Sequence, residues 1–174
     1  SSAGLSPPFA GRKGTGCQKR AGKGMIIRKM ELRDLSQVVM IEESLFSDPW
    51  TENAFRDTLD QKEADFVVAV SEQEEIIGYC GAYRALDEAE IVNVAIRKKD
   101  QNQGVGAGMV RTLIEEEKKK GVHFFILEVR ESNLSAQHCY EKLGFKSIGI
   151  RKNFYDCPRE NALIMQMESI AGDE

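Results

Sequence analysis

Imidazole is scarce in this chain. Its 174 residues include only two histidines, His123 and His138, 15 positions apart and without a cluster of Cys or carboxylate ligands. A zinc centre needs three or four such ligands within reach, so no metal is expected. Four cysteines, Cys17, Cys80, Cys139 and Cys157, show no CxxC spacing. That argues against a zinc ribbon or a disulfide framework, and free thiols in a reducing cytoplasm are the expectation. There is no run of 18 apolar residues and no apolar segment of the signal-peptide kind, so neither a membrane partner nor secretion is indicated.

The first 24 residues lack Asp and Glu altogether, yet hold six of the 15 glycines, two of the four prolines and five Lys or Arg. Such material does not build a core. Residues 1–24 read as a disordered basic leader, a non-native extension or translated upstream sequence. A transit peptide is the competing reading, but the glycines and prolines would spoil its amphipathic helix. Residues 25–174 are then one domain, a length that suits a single well-packed core. That body carries 19 basic against 28 acidic residues, about −9 rather than the −4 of the whole chain. Nucleic acid should be repelled and basic partners welcomed.

Periodicity sets out the elements. Met25 to Glu31 reads as a strand, after which Asp34 caps a helix whose apolar residues recur at helical spacing from Leu35 to Phe46. SDPW breaks it, and Thr51 begins a second helix running to about Leu59. FVVAV (66–70) and IIGYCGAY (76–83), separated by polar residues, suggest an antiparallel hairpin, and EIVNVAI (90–96) extends it. A helix around Met109 to Leu113 follows, with EEEKKK (115–120) as its solvated face and Gly121 as its terminator. HFFILEVR (123–130) returns as a buried strand, which makes a right-handed βαβ unit with parallel strands. Asn133 caps a helix closed by Gly144, and FKSIGIRKNFY with ENALIMQME completes the sheet. The fold class is α+β: a mixed, mostly antiparallel sheet of six or seven strands with about four flanking helices and one central parallel βαβ unit.

Between EIVNVAI and the next helix lies QNQGVGAG (101–108). A glycine-rich turn into a helix N-terminus presents unpaired N–H groups to an anion. A dinucleotide fingerprint fails at Met109, which stands where G-x-G-x-x-G requires glycine, and a Walker loop fails because no Gly-Lys-Ser/Thr follows. A turn that serves only close packing remains open. The stretch contains no Lys or Arg, so a phosphate bound here would rest mainly on backbone N–H groups or on cations from elsewhere.

Gln101, Gly104 and Gly106 match the pattern Gln or Arg, x, x, Gly, x, Gly or Ala, and LEVRESNLSAQHCYEKLGF (127–145) follows at a fitting distance. Together these resemble the GNAT superfamily of N-acetyltransferases. SDPWTEN, EIVNVAI, LEVRESN, IRKNFY and ENALIM narrow the likeness to the bacterial ribosomal-protein-alanine N-acetyltransferases, across residues 25–169. The resemblance implies a GNAT fold and a cytoplasmic enzyme that moves acetyl from acetyl-CoA directly to a protein N-terminus in a ternary complex. The basic N-terminal segment of a ribosomal protein is the implied partner, and the oligomeric state is left open. A lysine or small-amine acetyltransferase of the same fold, and a non-catalytic acyl-CoA-binding module, are the alternatives.

Residue roles follow from the same resemblance. Glu128 is the implied base and Tyr140 the implied acid. Val94, Ala95 and Ile96 are the strand edge that pairs with the pantetheine amides. Asn102, Gln103, Gly104, Val105, Gly106 and Ala107 wrap the pyrophosphate, with Asn133 touching the cofactor. Trp50 and Tyr155 shape the peptide groove. The family commonly carries Arg at the positions of Asn102 and Ala107; with both cations missing, Lys98 and Lys99 are the expected substitutes. The chemistry is consistent with an α-amine acceptor. Its reference pKa near ~7.8 makes the neutral form cheap to present at neutral pH, whereas lysine near ~10.4 does not.

Overall fold

The computed structural model describes residues 24–169. The leader expected over residues 1–24 lies outside that range except for Gly24, as do residues 170–174. Strands β1 (Ile26–Lys29), β2 (Ala64–Val70), β3 (Ile76–Ala85), β4 (Glu88–Ile96), β5 (Phe124–Arg130), β6 (Lys146–Asp156) and β7 (Arg159–Glu168) form one sheet in the order β1-β2-β3-β4-β5-β7-β6. Helices α1 (Leu35–Leu45), α2 (Glu52–Leu59), α3 (Val105–Lys118) and α4 (Leu134–Lys142) flank it. Every strand contact is antiparallel except β4 with β5.

Local chemistry accounts for most boundaries. Thr51 caps α2 by accepting from the Ala54 N–H at 3.1 Å, and Asn133 caps α4 by accepting from Ala136 at the same distance. Both satisfy amides that the first helical turn would otherwise leave unpaired. Gly121 and Gly144, with φ of +92° and +105°, end α3 and α4 in a conformation that side chains resist. Asp34 departs from expectation. Its carboxylate makes no cap bond to α1; it accepts from the Glu31 N–H at 2.8 Å and is gripped by both Arg28 Nη atoms at 2.7 and 2.8 Å. A 3-10 turn over Leu32–Asp34 intervenes, so the arginine wins the carboxylate and ties the helix entry to β1.

Alternation sorts the apolar side chains onto two faces. On one, Ala89, Ile91, Val94, Phe125, Leu127 and Val129 meet Met109, Val110 and Leu113 of α3 and Tyr140 of α4. On the other, Phe66, Val68 and Tyr79 meet Leu35, Val38 and Ile41 of α1 and Phe55 of α2. The charge run in α3 is not wholly a solvated face. Glu117 is completely buried, and its carboxylate accepts from Arg84 Nη1 at 2.9 Å, while Arg84 also holds Asp65 at 2.6 Å. Lys120 reaches the same Asp65 at 2.8 Å. The C-terminal end of α3 is thereby fixed to β2 and β3.

Candidate active site

The parallel contact between β4 and β5 is short. Three pairs are made, Glu88 with Phe124, Ala89 with Phe125 and Glu90 with Ile126, and then the strands part. A bulge in β4 marks the place: Asn93 has φ of +53°, and the register with β3 shifts between Tyr79 and Gly81. Bulges bend and twist a strand, which here swings the end of β4 away from β5. Val94, Ala95 and Ile96 therefore keep β3 on one side and have no strand partner on the other among the described residues. Such an edge offers backbone N–H and C=O groups to an extended ligand.

A groove of about 500 Å³ continues from that opening. Ile96, Gln101, Asn102, Gly104, Gly106 and Ala107 form one wall, and Asn133, Ser135, His138, Cys139 and Lys142 of α4 form the other. Gln101 Nε2 donates to the Ile96 carbonyl at 2.9 Å and so ties the loop to the strand end. Gly104 sits at φ +79°, and a Cβ there would meet nothing within 4 Å. Its glycine is thus required by conformation rather than by packing. The first bond of α3 runs from the Gly108 N–H to the Gly104 carbonyl at 3.1 Å. By helix geometry the amides of residues 105–107 are left without intrahelical partners, at the positive end of the dipole.

The loop residues divide. Asn102, Gly104, Gly106 and Ala107 face the groove, whereas Val105 is buried in the core and the Gln103 side chain turns back to the Lys99 carbonyl at 3.2 Å. Lys98 and Lys99, expected to replace the missing arginines, are exposed and do not line the groove. The cations that do are Arg111 and Lys142. Arg111 was legible in principle: it follows Ala107 by four residues, one helical turn along the same face. Ser135, His138, Cys139 and Lys142 likewise follow the 3–4 spacing of one face of α4. His138 and Cys139 thus both reach the groove. Burial pushes the Cys139 thiol above its usual range, so it stays protonated rather than nucleophilic.

Where the strands part, Glu128 lies on β5 with its side chain about nine-tenths covered, 3.1 Å from Arg151 Nε of β6. Burial raises its pKa, the Glu90 carboxyl raises it further, and Arg151 opposes both. Tyr155, also on β6, is buried beneath the Arg130 guanidinium, whose carbon stands 4.3 Å from the ring centre. Its hydroxyl is enclosed and has no hydrogen-bond partner among the described residues. Tyr140 is buried on α4 with its ring edge-on to Phe145 at 5.8 Å. Desolvation pushes the Tyr140 phenol far above its ordinary pKa, and Tyr155 is within electrostatic reach of both Tyr140 and Glu128. Tyr155 thus links the other two electrostatically, and none of the three is in the lining of the groove.

Trp50 is placed differently. It packs on Phe55 at 5.3 Å between ring centres and donates its backbone N–H to Glu42 Oε2 at 3.0 Å. Glu42 is fully buried and also accepts from the Tyr79 hydroxyl. This pair was not foreseen, because a glutamate on an amphipathic helix gives no sign of pointing inward. It anchors the loop between α1 and α2.

A seven-stranded sheet that opens between parallel neighbours, with a glycine loop and two helix N-termini at the opening, defines an acyltransferase architecture. The profile of the Acetyltransferase (GNAT) family matches residues 35–145. The ribosomal protein bS18-alanine N-acetyltransferase of Haemophilus influenzae is 38% identical over 143 residues, 80% of this chain and 96% of its own. Its Escherichia coli counterpart is 34% identical over 81% of this chain and 95% of its own. The crystal structure of the Escherichia coli ribosomal-protein-S18-alanine N-acetyltransferase superposes with a TM-score of 0.76 at 33% identity, covering 86% of this chain and 97% of that one. The chain belongs to the GNAT acetyltransferase family, and its fold is that of the family. Among the described residues no helix is long and apolar enough to cross a membrane, and no group of His, Cys, Asp and Glu is placed to hold a metal.

Proposed function

We propose that this chain is an acetyl-CoA-dependent N-α-acetyltransferase acting on the N-terminal amine, alanine by preference, of ribosomal protein bS18. The observation that carries the reading is the opening of β4 from β5 after Glu90, with Glu128 at the fork and the cation-bearing groove behind it. The groove fits a diphosphate. Free amides at the start of α3 face it, and Arg111 and Lys142 supply the positive charge that the loop lacks. The free edge of Val94–Ile96 suits an extended amide chain, and an N–H there would stabilise charge on the acetyl oxygen.

The chain's own residues then divide the proton work. Glu128 takes the proton from the acceptor amine, directly or through water, as the C–N bond forms. Its raised pKa brings it closer to the amine's ~7.8, which improves the driving force for that transfer. The C–S bond breaks, and Tyr140 returns a proton to the departing thiolate. Burial keeps the Tyr140 phenol protonated at neutral pH, the state a donor requires. Asn133 caps α4 and lines the groove, which supports its contact with the cofactor at that helix start. Tyr155, whose hydroxyl has no hydrogen-bond partner among the described residues and is within electrostatic reach of Glu128, and Trp50, on the loop held by Glu42, form the acceptor side. The acidic body matches a basic ribosomal-protein segment, and such a substrate places the enzyme in the cytoplasm.

The test compares an Ala-initiated bS18 peptide with its N-blocked, lysine-containing counterpart, read by mass spectrometry. Acetylation confined to the free α-amine is expected. Transfer only to the blocked peptide would overturn the α-amine reading.

A further inference from the structure

We propose that Arg130 is a positioning residue for the acceptor: it clamps the hairpin between β6 and β7 onto the end of β5 and so sets the ring of Tyr155. This rests on the acceptor lying against Tyr155, as read above. The hairpin needs such a tie. Backbone pairing of β5 with β7 runs out at Arg130, opposite Ala162, and the β6–β7 register shifts between Arg151 and Tyr155. Beyond those points Tyr155 pairs with Glu160 and Asp156 with Arg159, contacts that lie within the hairpin itself. The ladder alone therefore leaves its tilt over β5 open, and side chains have to fix it.

Arg130 supplies most of those bonds. Its Nη1 donates to the Pro158 carbonyl at 2.9 Å and to Glu160 Oε1 at 3.2 Å, and its Nη2 to the Cys157 carbonyl at 3.3 Å. The guanidinium carbon, 4.3 Å from the Tyr155 ring centre, adds a cation–π contact. The second Glu160 oxygen accepts from the Ser132 N–H, next to the Asn133 cap of α4. Asn161 makes a lesser tie, its Nδ2 donating to Glu131 Oε2 at 3.1 Å. One arginine thus joins the strand that carries Glu128, the helix start that lines the cofactor groove and the hairpin that carries Tyr155. Both Nη atoms are engaged by the chain itself and Tyr155 covers one face, so the guanidinium serves the fold of the site rather than a ligand. It is not in the lining of the cofactor groove. Glu160 balances its charge, which lessens repulsion of a cationic acceptor. Lysine is no substitute, because a point charge on a flexible stem cannot serve two carbonyls, a carboxylate and a ring together.

The experiment measures KM for the Ala-initiated peptide and for acetyl-CoA in Arg130→Met, Arg130→Lys, Tyr155→Leu and the Arg130→Met, Tyr155→Leu double variant. NMR of ring-labelled tyrosine in the full chain without substrate accompanies it. Arg130→Met should raise the peptide KM roughly tenfold or more, the effect of losing charge-assisted bonds and the ring contact, and leave that for acetyl-CoA within about twofold. Arg130→Lys, the milder change, should show the same split at smaller size. In the Tyr155→Leu background Arg130→Met should add little, since the arginine acts through the ring. The Tyr155 signal should move in Arg130→Met and stay in place in Arg159→Met, at the exposed hairpin turn. A peptide KM that does not change, a rise shared equally by acetyl-CoA, additive losses in the double variant or an unmoved Tyr155 signal overturns the proposal. A moved Tyr155 signal in a chain that acetylates no Ala-initiated peptide keeps the clamp and sinks the acceptor reading instead, so the two failures are told apart.

Discussion

Replacing Arg84 with Met isolates the charge network at the far end of α3. Arg84 Nη1 lies 2.6 Å from Asp65 and 2.9 Å from Glu117, and Nη2 donates to the Lys62 carbonyl at 2.8 Å. Methionine keeps most of the stem volume but leaves the fully buried Glu117 without its cation. Removing one partner of a buried pair costs about 3–5 kcal/mol, because the acid left behind must either stay charged without its counter-charge or hold a proton that the unfolded chain would release. The lower end applies here, since Asp65 keeps Lys120 at 2.8 Å. A loss of about 3 kcal/mol lowers Tm by roughly 6–12 °C in a chain of this size. The cost must depend on pH. Burial and Asp65 already raise the Glu117 pKa, while for Asp65 burial is outweighed by hydrogen bonds from Glu117, Lys120 and Arg84, which hold it below the ordinary carboxylate range.

For Glu117 the folded state keeps a proton that the unfolded chain has lost. Its contribution is intact below the ordinary carboxylate pKa and is lost as pH rises through the folded value. Asp65 contributes in the opposite sense, and its share is lost as pH falls through its depressed folded value. Without Arg84, Glu117 holds its proton more tightly, so the penalty grows towards alkaline pH and shrinks towards pH 4.5, where about half of the unfolded glutamate is also protonated. Urea melts of Arg84→Met at pH 4.5 and pH 8 would show it, with Glu117→Gln flattening the alkaline decline. A penalty below about 1 kcal/mol at pH 8, or one that grows towards acid, would refute the reasoning.

Three further outcomes are expected. Arg111→Ala should weaken coenzyme A binding about tenfold, with a shallower salt dependence, while Asn102→Arg or Ala107→Arg should tighten it; calorimetry at two salt concentrations checks both directions. Tyr140→Phe should cut kcat about 10²-fold or more at neutral pH with coenzyme A affinity nearly unchanged, and a wild-type rate would remove the phenol from the mechanism. Glu42→Ala should cost about 2–5 kcal/mol by stranding the Tyr79 hydroxyl and the Trp50 N–H, and should raise KM for the peptide more than for the cofactor.

By itself the sequence determined the order and kind of the elements, because alternation and 3.6-residue spacing are local properties that Thr51, Asn133, Gly121 and Gly144 punctuate with known geometry. It also marked the glycine loop and, through resemblance, Glu128 and Tyr140. Tertiary structure decided what the loop's missing charges mean. Arg111 and Lys142 come from two helices that meet only when packed, while the nearby Lys98 and Lys99 point elsewhere. It also decided where β4 leaves β5, since a bulge at Asn93 registers only against a partner strand. Glu42 and Glu117, polar by composition, lie inside because Tyr79, Trp50 and Arg84 arrive from distant strands and loops to pair with them. Pairings across such sequence distances depend on which surfaces the core brings together, and local pattern carries no record of that.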